Sequence, residues 1–200
     1  PQSPHQRDPR TAYRTGPSRQ PSPEQSVPRQ GQQLPPLPVT QATLDSRPVG
    51  EVLREDGAQL LEHLQVLRRD LHQNPEIGNH TPYTQAKVLE ELSGLPLELT
   101  TGVSVTSVVA VLRGGKRGDH PVSVLLRADM DALEVAERTG SPFAPTNGHM
   151  HARGHRLHTS ALVGAAKLLS RHREEIPGDV IFMFQPGEEG PGGARPMICL

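Results

Sequence analysis

Val180-Ile181-Phe182-Met183-Phe184-Gln185-Pro186-Gly187-Glu188-Glu189-Gly190 is an unbroken apolar run that turns directly into a glycine-rich loop with two adjacent carboxylates. A short continuous apolar run suits a strand buried on both faces. Val180–Phe184 is therefore predicted as an interior strand, and Gly187–Gly193 as the loop that follows it. Upstream, Val122–Leu126 is a second run of the same kind. Val103–Leu112 is β-branched and apolar until Gly114-Gly115 interrupts it, which reads as a strand and a turn. Between and before the strands the apolar spacing changes to that of helices. In Glu51–Gln73, residues Leu53, Leu60, Leu64, Leu67 and Leu71 make one stripe, which ends at Asn74-Pro75. A second helix is predicted from Thr81-Pro82, with Thr81 as cap, to Gly94. A third is predicted over His158–Ser170, with Thr159 as a plausible cap. Strands alternating with helices predict an α/β sandwich with a partly parallel sheet.

Residues 1–50 differ in kind. They hold eleven of the 21 prolines and eight glutamines, with few large apolar side chains. Such a stretch cannot bury enough surface to offset its ordering entropy, so a disordered tail is predicted there, with one folded unit over 51–200. The run Leu34-Pro35-Pro36-Leu37-Pro38 can form a polyproline II helix, which leaves an interaction module as one alternative function. The formal net charge is −1, with no basic stripe, which argues against a nucleic-acid surface. No apolar run approaches the ~18 residues that span a membrane, and none reads as a signal peptide. One cysteine, Cys199, cannot close an internal disulfide, so a cytoplasmic location is expected.

Three groups of residues can carry chemistry. His149, His151, His155 and His158 fall within ten residues on a predicted strand-to-helix loop, a concentration of imidazoles that suits metal ligation. Glu188 and Glu189 follow a buried strand, at the carboxyl end where α/β sheets build their sites. One can ligate a metal while the other takes a proton; a solvated acidic turn is the plainer alternative. Arg127-Ala128-Asp129-Met130-Asp131 leaves the second strand, and Asp129 is the candidate for orienting a ligating imidazole; an aspartate that only hydrogen-bonds the start of the loop is the equal alternative.

Four blocks then resemble one family. Leu67–Glu76 (Leu-Arg-Arg-Asp-Leu-His-Gln-Asn-Pro-Glu), Leu126–Leu133, Met150–Thr159 and Phe184–Gly190 are similar, in order and spacing, to the signatures of the amidohydrolase branch of the aminoacylase-type metallopeptidases. That branch includes hippurate, N-acyl-amino-acid and auxin-conjugate hydrolases. The resemblance covers roughly residues 55–198. It implies a three-layer α/β sandwich of the zinc-peptidase-like catalytic domain, here truncated. The smaller dimerisation domain and the remaining histidine ligands are expected beyond Leu200. It also implies two divalent ions, manganese or zinc, a homodimer, and small N-acyl amino acids as substrates. Carried over by position, His155 and Glu189 become metal ligands, and Glu188 becomes the base that activates the attacking water.

Two positions depart from the family pattern. Arg153 stands where the family has a ligating cysteine, and Arg156 where it has an aspartate. A guanidinium has no lone pair to donate and is always charged. Beside a dication at ~4 Å it is repelled by several kcal/mol even at an effective dielectric of ~20. His149 or His151 are possible substitute ligands. A catalytically inactive relative is the alternative reading, in which Arg153 pairs with Glu188 or Glu189. A sheet ending after Glu189 is also expected to leave an exposed apolar edge.

Overall fold

The computed structural model describes residues 48–119, 121–190 and 192–197. The proline-rich tail through residue 47, with its Leu34–Pro38 run, and Cys199 lie outside the described residues. Helix α1 spans Val49–Gln73, two residues earlier than the leucine stripe indicates. It buries Leu60, Leu67 and Leu71 and ends where the Asn74 side chain donates to the Asp70 carbonyl, 2.9 Å away. Helix α2, Pro82–Leu92, starts at the predicted proline. Its cap is different from the one expected. Thr81 holds the N-cap position, but its hydroxyl faces that of Thr106 at 2.9 Å, and the free amides of Tyr83 and Thr84 are taken by the two carboxylate oxygens of Glu76, both at 2.9 Å.

Four strands follow in the order β1-β2-β4-β3 across one sheet: β1 Leu97–Thr101, β2 Val108–Arg113, β3 Ser123–Asp129 and β4 Asp179–Gln185. β1 pairs antiparallel with β2, β2 antiparallel with β4, and β3 parallel with β4. The partly parallel sheet is as predicted. The strand expected at Val103–Leu112 begins only at Val108, because Gly102–Ser107 is the turn of the β1–β2 hairpin, closed by the Gly102 amide on the Ser107 carbonyl; Val103 is 97% exposed. Helix α3 spans His155–Arg171, three residues earlier than expected, with Gly154 rather than Thr159 at its N-cap.

The core lies on one sheet face. Val108, Ala110 and Leu112 of β2 and Val180, Phe182 and Phe184 of β4 pack with Leu67, Leu71, Val88, Leu92, Leu162 and Val163 from the three helices. The described residues thus form a sheet and one helical layer of the expected sandwich. The prediction of burial on both faces holds better for β4 than for β3. β3 is the sheet edge, and Val124 and Leu125 are each 52% exposed because no described strand pairs beyond them. The exposed apolar edge is therefore present.

Leu71, 1% exposed in the centre of this core, is expected to cost about 2–5 kcal/mol when changed to alanine, by denaturant unfolding. Val103→Ala should leave the midpoint unchanged. A loss for Leu71→Ala within error of that control would contradict the packing described.

Candidate metal centre

Because β3 and β4 run parallel with Asp129 opposite Gln185, both strands leave the sheet at the same end. The Met130 amide continues the pairing by donating to the Gln185 carbonyl, 2.8 Å away. The Leu67–Glu76 block holds the loop beyond β3. The Ala132 amide donates to the Glu76 carbonyl at 2.7 Å, and the Asn147 side chain donates to the Pro75 carbonyl at 2.9 Å. His72 Nε2 lies 2.7 Å from Glu137 Oε2, both side chains 2% exposed, which ties the end of α1 to the same loop.

Asp131, completely buried, organises the centre. Its two carboxylate oxygens accept the backbone amides of Glu188 and Glu189, at 3.0 and 2.9 Å. Its carbonyl faces His155 Nδ1 at 2.8 Å. A carbonyl only accepts, so Nδ1 carries a proton and the neutral ring presents the Nε2 lone pair. Burial pushes the Asp131 carboxyl up, but His155 and the two amides outweigh this and hold it below the ordinary carboxyl range. The Glu188–Glu189 turn needs Gly187, whose φ of +70° lies in the left-handed region and where a Cβ would run into the Asn79 side-chain oxygen. Gly154, at φ +89°, likewise starts α3 so that His155 is its first residue.

His155 Nε2 faces three carboxylates: Asp129 Oδ2 at 3.0 Å, Glu188 Oε2 at 3.5 Å and Glu189 Oε1 at 3.6 Å. Four tetrahedral donors around one ion, with bonds of ~2.1 Å, stand roughly 3.4 Å from each other, so the spacing is of the right size for a cation. Among the described residues, Asp129, His155 and Glu188 form the one group of three donors that all lie within 4.8 Å of each other. Burial lowers the basicity of His155, but its hydrogen bonds to Asp131 and the charges of Asp129 and Asp131 prevail and raise its pKa to about 8. A cation here competes with a proton on Nε2.

The sequence-predicted residues fall into two sets. Asp129, His155, Glu188 and Glu189 are brought together. The orienting hydrogen bond expected from Asp129 comes from Asp131, and Asp129 stands instead on the lone-pair side of the ring. Asp129 is itself held by Arg127 Nη1 at 3.3 Å, and the Thr159 hydroxyl donates to its carbonyl at 2.7 Å. Arg153 pairs with Glu189, Nε to Oε2 at 3.3 Å, through a side chain that is 66% exposed. His149 and His151 stay outside the donor group. His151 is 3% exposed, and burial, with help from Arg156, lowers its pKa to about 4, so it is neutral at pH 7. Arg156 turns away from the centre and donates to the His151 carbonyl at 2.6 Å. His158, 56% exposed at its side chain, stacks on His155 and places its Nδ1 3.5 Å from Asp129 Oδ2.

Sequence comparison agrees with this geometry. Residues 125–199 match the model of peptidase family M20/M25/M40. The chain is 43% identical over 133 residues to the IAA-amino acid hydrolase ILR1-like 4 of Arabidopsis thaliana, covering 66% of this chain and 29% of that protein. It is 41% identical over 134 residues to an N-acetylcysteine deacetylase of Bacillus subtilis, covering 66% and 34%. Among solved structures it is similar to a Bacillus subtilis dinuclear metal binding peptidase from the M20 family, with a TM-score of 0.63 and 37% identity, covering 72% and 39%. Over the compared residues the chain is similar to members of the M20 peptidase family. It spans about a third of the length of the curated relatives it matches. Among the described residues no helix is long and apolar enough to cross a membrane.

Asp131→Asn replaces one accepting oxygen with a donor and strands a buried amide, at an expected cost of about 1–3 kcal/mol. The sign with pH follows from the lowered carboxyl. Its contribution is present above the ordinary aspartate pKa and is lost as pH falls through the depressed folded value, so wild type and variant should converge only in strong acid. Urea unfolding of both proteins at pH 7 and near pH 3 measures this; equal stability at pH 7 would contradict the role given to Asp131.

Proposed function

We propose that residues 51–200 form part of the catalytic domain of a metal-dependent amidohydrolase, which cleaves the amide bond of small, hippurate-like N-acyl amino acids. The observation that carries this reading is the convergence of three carboxylates on one imidazole nitrogen whose other nitrogen is committed to the Asp131 carbonyl. A bound divalent ion, manganese or zinc, supplies Lewis acidity and water of lowered pKa. The relatives' names, an IAA-amino acid hydrolase and an N-acetylcysteine deacetylase, support cleavage of an acyl–nitrogen bond.

His155 and Asp129, with a carboxylate of the Glu188–Glu189 turn, would hold the ion. Both glutamates reach the same nitrogen, and exposure divides their work. Glu188 completes the three-donor group as the side chains stand, but the Glu189 side chain, 8% exposed, is the better shielded from solvent and is the donor. The Glu188 side chain, 35% exposed, meets the solvent that supplies the attacking water and accepts its proton. Asp131 fixes both through their backbone amides, so donor and base keep their separation as charge moves.

With manganese or zinc present, the protein should release free amino acid from N-acetyl and N-benzoyl amino acids. Glu188→Gln keeps the size of the side chain but removes the proton acceptor, and should lower kcat by about 10²–10⁴-fold. Equal rates for wild type and Glu188→Gln would refute the assignment of the base.

A further inference from the structure

The similar solved peptidase is described as dinuclear metal binding, and this chain covers 39% of it. The two carboxylate oxygens of Glu189 point in different directions: Oε1 lies 3.6 Å from His155 Nε2, and Oε2 lies 3.3 Å from Arg153 Nε. A carboxylate that bridges two ions uses both oxygens, and here one is engaged by a guanidinium. Arg153 offers no lone pair of its own. Beyond Asp129, His155 and Glu188, no further group of three donors occurs among the described residues.

The charges lead to the same count. Asp129, Asp131, Glu188 and Glu189 bring four negative charges to the centre, and Arg127 and Arg153 return two positive ones, each 3.3 Å from its carboxylate. One dication cancels the remainder, whereas two would leave a double positive excess beside the buried Asp129 and Asp131 and the Glu189 side chain, which is 8% exposed. Paired charges taken out of water are tolerated only when they balance.

We infer that this chain holds one divalent ion, at His155 Nε2, and that the Arg153 guanidinium takes the place of a second, with one positive charge where the ion would bring two. The inference rests on the metal dependence proposed above and narrows it to a single-ion centre. Arg153 is 66% exposed at its side chain, so it can be replaced without opening the core.

The test is metal stoichiometry on the whole chain, by equilibrium dialysis with Zn²⁺ and elemental analysis, on wild type, Arg153→Cys and His155→Ala. One ion per wild-type chain is expected. His155→Ala should weaken its binding at least 100-fold. Arg153→Cys releases Glu189 Oε2 and adds a thiolate donor, so it should take up a second ion. Cobalt in place of zinc should then give a thiolate-to-cobalt charge-transfer band in Arg153→Cys that wild type lacks. Two ions in wild type would overturn the inference and leave the amidohydrolase reading standing. An Arg153→Cys protein that still binds one ion and shows no such band would overturn it equally. No ion in wild type would overturn both.

Discussion

The centre depends on one buried carboxylate. Asp131 accepts the amides of Glu188 and Glu189 while its carbonyl fixes the proton on His155 Nδ1. Three elements that are far apart in sequence, the end of β3, the turn after β4 and the first residue of α3, are thereby joined at a single residue. A buried carboxylate with no partners would be costly; here the backbone donors and the imidazole stabilise its charge, and the same bonds aim the glutamates.

The sheet makes that junction possible. Parallel pairing of β3 and β4 brings both exits to one end of the sheet, and the antiparallel β1–β2 hairpin extends the other side. The helices cover the face where Phe182 and Phe184 lie, and α3 ends its N-terminal turn at the site. Scaffold and chemistry use different residues: apolar side chains fill β2 and β4, and the functional side chains begin at or just after the carboxyl ends of β3 and β4.

Much of this was legible in the sequence, for physical reasons that can be named. Val180–Phe184 declares itself because an unbroken apolar run has few other uses, and the two glutamates after it inherit their place from the strand. α1 is legible from its leucine spacing. β1 is not, because Leu97–Thr101 is largely exposed and gains its stability from pairing with β2, which local composition does not encode. The Thr81 cap failed because Glu76, earlier in the chain, supplies better acceptors. Asp131 was in view within an Asp-Met-Asp segment, but which aspartate turns toward the imidazole is decided by contacts 24 and 57 residues away in sequence. Arg153 shows the opposite case: its chemistry was evident from residue type alone, while its choice of Glu189 over Glu188 needed the fold.

Both the function and the ion count assume that His155 binds through Nε2, with Nδ1 retained by Asp131. The ¹⁵N resonances of the His155 ring, recorded before and after zinc is added, test this most directly. The account predicts that Nδ1 keeps its proton and that Nε2 alone shifts to a metal-bound position. Coordination through Nδ1, or a ring unaffected by zinc, would contradict it.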